Sequence, residues 1–166
     1  GIHFSARRTR KSKRFEIGVI SDTHGLLRPE VLSVFKGVSL ILHAGDIGDA
    51  EVIHRLQKIA PVIAVRGNND KGTWSTPIPE CKLIRQGPVS VYMLHDVNEL
   101  KTKPPAGQVR VVVSGHSHRP SIQEQDGILF VNPGSAGPRR FKLPISVARL
   151  IIHGSAHHAE LMEFGK

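Results

Sequence analysis

The sequence predicts an α/β fold, and three features of its apolar residues support this. Segments rich in Val, Ile and Leu recur at short intervals and have the length and composition of β-strands. Segments with apolar residues at helical spacing separate the first of these strands from one another. From Cys81 onward, the strand-like segments follow each other closely. A β-α-β-α-β half followed by a strand-rich half is therefore expected.

The first three predicted strands are almost continuously apolar, which is typical of strands buried on both faces. Near the end of the chain, residues 145–153 and 156–163 are predicted to pair as a hairpin across Gly154-Ser155. The other predicted strands comprise residues 15–20, 38–43, 61–66, 89–94, 109–114 and 128–132.

The two predicted helices lie between the first three strands. Pro29 stands at a suitable first helical position for residues 29–36. Residues 49–60 have one apolar face behind Asp49, a residue type that caps helices. The proline-rich residues 98–108 leave little room for a helix, so an irregular loop is expected there.

The composition of the 166 residues indicates one globular domain, predicted to span residues 15–166. The net charge of +9 is concentrated near the start of the chain. Residues 1–14 contain six basic residues and no acidic one, and they are predicted to form a flexible basic arm. Such an arm can bind polyanions through counterion release, or it can be a solvated tail or a vector-derived extension.

Cysteine usage and hydropathy predict a cytoplasmic protein. Cys81 is the only cysteine, so neither an intramolecular disulfide nor a thiolate metal site can form. No apolar run approaches the ~20 residues of a membrane-spanning helix, and no membrane partner is expected. Neither an oxidising compartment nor a bilayer is needed to explain this composition.

Polar side chains follow five of the predicted strands. In open α/β sheets, ligands bind beyond the carboxyl ends of the strands, so these side chains should converge on one cavity. An Asp-x-His or His-x-His pair places both side chains on the same side of an extended segment. The residues, in chain order, are Asp22 and His24, Asp46, then Asn68, Asn69 and Asp70, then His95, and finally His116 and His118.

These residue types indicate a metal centre. Carboxylate, imidazole and amide ligands together suit Mn, Fe, Zn, Co or Ni, whereas Mg or Ca sites are almost entirely oxygen. Seven candidate ligands are too many for one ion and suit two ions about 3.5–4 Å apart. Each cluster alone has an ordinary explanation: Asp22 as a helix cap, Asn68-Asn69 as a turn, His95 as a structural histidine. Their order along the chain favours the metal centre.

In this order the motifs resemble those of the calcineurin-like metallophosphoesterases, over about residues 15–140. The short chain further resembles the small single-domain bacterial and archaeal phosphodiesterases of that family. The resemblance implies a four-layer αββα sandwich of two mixed β-sheets flanked by helices. The motifs are Asp22-x-His24, Gly45-Asp46, Gly67-Asn68-Asn69-Asp70, His95 and Gly115-His116-x-His118.

The resemblance also implies a mechanism, in which a hydroxide between two divalent ions attacks a phosphate ester, phosphodiesters being the expected class. Mn²⁺ is the expected metal, with Fe, Zn, Ni or Co as alternatives. Asp22, His24 and His118 would hold one ion, Asn68, His95 and His116 the other, and Asp46 would bridge them. Asp46, Asn69 and Asp70 are the predicted catalytic residues.

Asn69 departs from the wider family, because many relatives have at that position a histidine that protonates the leaving group. An amide cannot donate a proton and be reprotonated near neutral pH. Leaving groups that depart easily are therefore expected to react best. The small phosphodiesterases also tend to lack that histidine.

Two other functions stay open at this stage. The first is a non-catalytic, metal-binding scaffold for protein partners, because the retromer-associated branch of the family uses the same fold as a scaffold, although loss of ligands would be expected there. A nuclease is the second alternative, suggested by the basic residues 1–14.

Overall fold

A computed structural model describes residues 14–100, 109–139 and 142–164. The helices among these residues are α1 (Pro29–Val34) and α2 (Ala50–Gln57), and a single 3-10 turn spans Val97–Glu99. The strands are β1 (Arg14–Ile20), β2 (Leu40–His43), β3 (Val62–Ala64), β4 (Cys81–Gln86), β5 (Val89–Leu94), β6 (Val109–Val113), β7 (Ser121–Gln125), β8 (Ile128–Asn132), β9 (Ile145–His153) and β10 (Ala156–Phe164).

The strands form two five-stranded sheets, each with three parallel strands at its centre or side. The first sheet has the order β10-β9-β1-β2-β3, in which β1, β2 and β3 are parallel. The second has the order β4-β5-β6-β8-β7, in which β5, β6 and β8 are parallel. The remaining pairings are antiparallel, so both sheets are mixed. Because the carboxyl ends of parallel strands lie at the same edge of a sheet, the loops that follow these strands lie close together.

The two sheets pack face to face through a buried core. Ile17 and Val19 of β1 contribute to it from the first sheet, and Val91 and Met93 of β5 from the second. The intervening residue Tyr92 lies on the other face of its sheet. This alternation is the period-2 pattern of strands whose two faces meet different neighbours.

The helices cover the outer face of the first sheet. Phe35, which follows α1, and Leu56 of α2 are fully buried in one cluster with Ile41 of β2. A Cβ atom at Gly18 would lie 2.9 Å from the Phe35 ring, so only glycine leaves room for this contact. The side chain of Asp49 caps α2 by accepting a hydrogen bond from the backbone N–H of Glu51 at 3.0 Å.

The predicted α/β sandwich of two mixed sheets is confirmed. Both helices are shorter than expected, since backbone turns rather than helix follow Val34 and Gln57. Two strands that were not individually predicted, β4 and β7, form the edges of the second sheet. On the outer face of that sheet, the described residues contain only the 3-10 turn, with Val97 and Leu100 in the outer apolar cluster.

The remaining predictions about organisation concern the ends and one loop. Arg14 opens β1 and pairs with His153, so this strand begins one residue earlier than expected. The rest of the predicted basic arm, residues 1–13, lies outside the described residues, as do residues 101–108 of the predicted loop. Among the residues described, no helix is long and apolar enough to span a membrane.

Candidate metal centre

The loops after β1, β2, β5 and β6 bring carboxylates and imidazoles together at one edge of the sandwich. Two groups have ligand atoms that all lie within 4.8 Å of one another. The first consists of Asp22, His24 and His118, and the second of Asp22, Asp46 and His95. The His24 and His118 rings stack with their centroids 5.6 Å apart. Five of the seven predicted ligands therefore form a compact cluster.

The backbone at this cluster is strained. Left-handed φ values cost most residues about 1–2 kcal/mol, because Cβ approaches the following carbonyl oxygen. Six non-glycine residues of the described chain have such values, and all of them except Asp126, which lies in a turn, are predicted metal ligands. The other five are Asp22 (57°), His24 (48°), Asp46 (54°), His116 (72°) and His118 (64°). Strain concentrated in this way is characteristic of functional sites.

Two glycines allow the loops to approach the carboxylates. A Cβ atom at Gly67 would lie 2.3 Å from both the backbone nitrogen and Oδ1 of Asp46. A Cβ atom at Gly115 would lie 2.0 Å from Oγ of Ser21 and 2.7 Å from Oδ2 of Asp22. Any side chain at either position would displace a carboxylate of the cluster.

One oxygen of the Asp22 carboxylate accepts hydrogen bonds, and the other has no hydrogen-bond partner among the described residues. Its Oδ2 accepts hydrogen bonds from Ser21 Oγ at 2.6 Å and from the backbone N–H of His116 at 3.1 Å. Its Oδ1 faces the Nε2 atoms of His118 at 3.4 Å, His24 at 3.8 Å and His95 at 3.9 Å. Burial tends to raise the pKa of Asp22, but His118, Ser21 and His95 outweigh it, so that the pKa lies below its usual value. This carboxylate is ionised.

The Asp46 carboxylate is held by Asn69. Oδ1 accepts the backbone N–H of Asn69 at 3.0 Å, and Oδ2 accepts its side-chain amide at 3.2 Å. Oδ2 also lies 3.3 Å from Nε2 of His95 and 3.8 Å from Nε2 of His24. Burial tends to raise the pKa of Asp46, but His95 and the Asn69 N–H together lower it well below its usual value. Asp46 thus faces one histidine from each predicted ligand set.

His95 is oriented by a backbone carbonyl. Its Nδ1 lies 2.7 Å from the carbonyl oxygen of Ala44, to which it can only donate, so in the neutral ring Nε2 carries a lone pair. Burial tends to lower the pKa of His95, but Asp46 and Asp22 raise it to about 9. The two carboxylates therefore attract a positive charge to Nε2.

The donor atoms of the cluster fit metal ions. Six buried side-chain nitrogen or oxygen atoms have no hydrogen-bond partner among the described residues, and four belong to this site. Each unsatisfied buried polar atom costs about 1–3 kcal/mol. A bound cation would remove this cost for Asp22 Oδ1 and for the Nε2 atoms of His24 and His95, which face that oxygen. Nitrogen and carboxylate donors suit Mn, Fe, Zn, Co or Ni. The four atoms are Asp22 Oδ1, His24 Nε2, His95 Nε2 and His118 Nδ1.

The two other predicted ligands lie at the rim. The His116 ring meets that of His95 edge to face at 5.2 Å, and its Nε2 lies 3.7 Å from Oδ2 of Asp96. Asn68 is exposed and lines a cleft together with His95. The predicted second ligand set is therefore less tightly gathered than the first.

Asp70, a predicted catalytic residue, is engaged with backbone groups. It is buried, and Oδ2 accepts the N–H of Ile47 at 3.1 Å and of Gly67 at 2.9 Å. Oδ1 accepts the N–H of Gly48 at 2.9 Å. These contacts join the loop after β2 to the loop after β3, so the structure gives Asp70 a positioning role, and direct participation in catalysis stays a prediction.

We expect Asp70→Ala to lower the free energy of unfolding by about 2–4 kcal/mol, since three backbone N–H groups lose a charged acceptor. Urea unfolding of the metal-free protein would measure this, with Glu124→Ala on exposed β7 as the control. A loss no larger than that of the control would show that the three contacts do not stabilise the loops.

The sequence did not reveal a buried network that connects the loops after β1 and β2. The Thr23 hydroxyl donates to the carbonyl of Ile47 at 2.8 Å and accepts from Nε2 of His43 at 3.0 Å. Nδ1 of His43 then accepts the N–H of Gly45 at 3.2 Å. Burial lowers the pKa of His43 to about 4, so the ring is neutral. The position of Thr23 between two candidate ligands was the only available signal.

A second supporting network comes from the turn after β8. Ser135 Oγ donates to the backbone carbonyl of Asp22 at 3.1 Å. The Asn132 amide donates to the carbonyl of Gly115 at 3.0 Å and to Oγ of Ser117 at 3.1 Å. The loops that carry Asp22 and the two C-terminal histidines of the site are thereby fixed to one turn.

Residues 15–155 match the family model for the calcineurin-like phosphoesterase superfamily domain. The chain belongs to this superfamily. A probable metallophosphoesterase of Methanothermobacter thermautotrophicus is 36% identical over 163 residues, which cover 90% of this chain and 92% of the relative. A phosphodiesterase of Methanocaldococcus jannaschii is 30% identical over 140 residues, 72% of this chain and 82% of that protein. The resemblance found in the sequence is confirmed.

The superfamily fold is also found among solved structures. Vacuolar Protein Sorting 29 of Cryptosporidium parvum superposes with a TM-score of 0.72 at 19% identity, covering 92% of this chain and 99% of that one. At this identity the likeness concerns the fold alone. Membership in the calcineurin-like superfamily supports a hydrolase of the phosphoesterase class. Its candidate metal-binding residues lie at the edge of the sandwich.

Proposed function

We propose that the protein hydrolyses phosphodiesters with the help of two divalent cations. The observation that carries the proposal is the cluster of ionised carboxylates and imidazoles with four buried donor atoms left without partners. The relationship to an archaeal phosphodiesterase supports the choice of ester. Mn²⁺ is the proposed metal and the cytoplasm the proposed location.

Each cation has a proposed ligand set. Asp22, His24 and His118 would hold one, while Asn68, His95 and His116 would hold the other, and Asp46 would lie between them. When bound, the cations would neutralise phosphoryl oxygens and lower the pKa of the attacking water. The left-handed backbone at five of these residues supports the assignment, because backbone strain concentrated at one place is characteristic of functional sites.

Asn69 holds Asp46 in position through its backbone and side chain. In this role the Asn69 amide donates a hydrogen bond to the Asp46 carboxylate. The amide cannot protonate a leaving group near neutral pH. We propose that the departing oxygen leaves as an anion or takes a proton from water. Esters of acidic alcohols should therefore be the better substrates.

A scaffold for protein partners is the second candidate, because the fold is shared with Vacuolar Protein Sorting 29. A metal-binding scaffold would share these donor atoms, since a Vps29 structure with bound zinc has the same fold. The relationship to an archaeal phosphodiesterase favours the enzyme, and hydrolysis rather than metal binding separates the two candidates. A nuclease is suggested only by the basic residues near the start of the chain, most of which lie outside the described part.

We expect the purified protein to hydrolyse bis(p-nitrophenyl) phosphate in the presence of Mn²⁺ and to lose this activity on chelation. The matching monoester, p-nitrophenyl phosphate, should react more slowly. Re-addition of the metal is the control, because it distinguishes metal removal from denaturation. No hydrolysis with any added divalent ion would contradict an enzymatic function and favour the scaffold.

A further inference from the structure

A cleft of about 300 Å³ opens beside the candidate metal centre, and its walls carry charged side chains that the proposed chemistry does not use. Asn68 and His95 line its inner end. The remaining wall includes two cationic residues, Arg66 and Lys71, and three acidic ones, Glu80, Glu99 and Asp70, whose carboxylate is already bound to three backbone N–H groups. A group bound here would be continuous with a phosphate at the metal centre.

Arg66 is fixed at the wall of this cleft. Its backbone N–H donates to the carbonyl of Pro79 at 2.7 Å, and its Nη2 donates to Oε2 of Glu80 at 3.0 Å. The Arg66 side chain is 29% exposed, whereas that of Glu80 is 78% exposed. The backbone of Arg66 is thus held by the fold, and its partly buried guanidinium meets an acidic partner that reaches it from the solvent side.

The Arg66–Glu80 pair can be exchanged at little cost. Ion pairs with one well-exposed partner contribute little to stability, because water solvates the released carboxylate. A guanidinium presents a planar fork of N–H donors that fits the paired oxygens of a phosphate or carboxylate. A substrate anion could therefore take the place of the Glu80 carboxylate, with exposed Lys71 adding a second positive charge.

We propose that Arg66 and Lys71 form an anion subsite that binds a second negatively charged group of the substrate. This inference rests on the proposed phosphodiesterase function and names its substrate class: phosphodiesters that carry a further phosphate or carboxylate on the part of the molecule lying in the cleft. Hydrocarbon chains are disfavoured there, because they would desolvate the charged side chains of the cleft. Glu80 occupies the guanidinium while the cleft is empty.

Two model esters with the same leaving group test the subsite. They are p-nitrophenyl phenyl phosphate and p-nitrophenyl 4-carboxyphenyl phosphate, which differ by one carboxylate on the retained ring. We expect native protein to prefer the carboxylated ester in kcat/KM by roughly tenfold, the size of one charge-assisted hydrogen bond. The preference should decrease as salt concentration rises.

Variants of the Arg66–Glu80 ion pair test whether Arg66 causes the preference for the carboxylated ester. Arg66→Gln should remove most of the ratio between the two esters, and Arg66→Lys should keep part of it. Glu80→Gln should increase the ratio, because the guanidinium loses its competing carboxylate. Arg85→Gln is the matched control, since Arg85 is exposed and lies at the opposite end of β4 from Glu80.

The outcomes separate the subsite from the function on which it rests. Hydrolysis of both esters with a ratio unchanged in Arg66→Gln and in Glu80→Gln would overturn the subsite and leave the phosphodiesterase intact. If Arg66→Gln is inactive on both esters, the Glu80→Gln ratio decides, and a ratio equal to that of Arg85→Gln overturns the proposal. Absence of hydrolysis of either ester by the native protein would overturn both.

Discussion

Asp46→Asn is expected to reduce kcat/KM by more than 10²-fold, beyond the 10–100-fold typical of losing a partner outside the ligand set. The carboxylate faces His95 and His24 from the two predicted ligand sets, so it is placed to share its charge between two cations. Asn68→Ala should be less damaging, because Asn68 would supply one neutral oxygen to one ion. Steady-state kinetics and metal content of both variants would measure the difference.

The fold should survive this change. Asparagine matches aspartate in shape and still offers an oxygen to the backbone N–H of Asn69. Asp49→Asn is the control, because Asp49 is an exposed helix cap and asparagine caps equally well. Equal residual activity and equal metal retention in Asp46→Asn and Asn68→Ala would remove Asp46 from the bridging role.

Asn69→His is expected to raise the rate on esters with poor leaving groups, by up to the roughly 10²–10⁴-fold that a positioned acid contributes. The native protein should strongly favour aryl over alkyl esters, since its amide cannot protonate the departing oxygen. Esters whose leaving groups are already stable as anions should gain little from the new ring. Rates measured for a series of esters with graded leaving-group pKa, at matched metal occupancy, would show a shallower dependence of rate on that pKa in the variant.

The control for this change is Asn69→Gln, which keeps an amide and adds no titratable group. In both variants the backbone N–H of residue 69 still binds Asp46, so the carboxylate stays in place. A native series that is already flat would mean that another residue supplies the proton. In that case Asn69 does not stand in for a missing acid.

The sheet architecture could be predicted because its strands have a strong local signal. The parallel strands β1, β2 and β3 are almost continuously apolar, and β1 and β2 contribute residues to the apolar clusters on both faces of their sheet. Strands β4 and β7 are mostly exposed edge strands with polar residues, so their apolar signal is weak. Helix ends were misplaced because the last residues of both predicted helices form turns; the backbone N–H of Lys36, for example, donates to the carbonyl of Ser33 at 3.3 Å.

The candidate ligands could be predicted in type and order, since each follows a strand end. Their backbone conformation could not, because left-handed φ at Asp22 or His116 is imposed by the surrounding loops. The same holds for Asp70, whose three backbone partners lie in the loop after β2 and in the loop after β3. The His43–Thr23 network is also tertiary, and short polar residues near a strand end do not reveal it.

A crystal structure grown with Mn²⁺ would test the central claim most directly, through the anomalous scattering of the metal. Two peaks about 3.5–4 Å apart are expected. One should be bounded by Asp22, His24 and His118, the other by Asn68, His95 and His116, with the Asp46 carboxylate between them. One ion held by the compact cluster alone, or no peak at these residues at saturating Mn²⁺, would contradict the two-metal account.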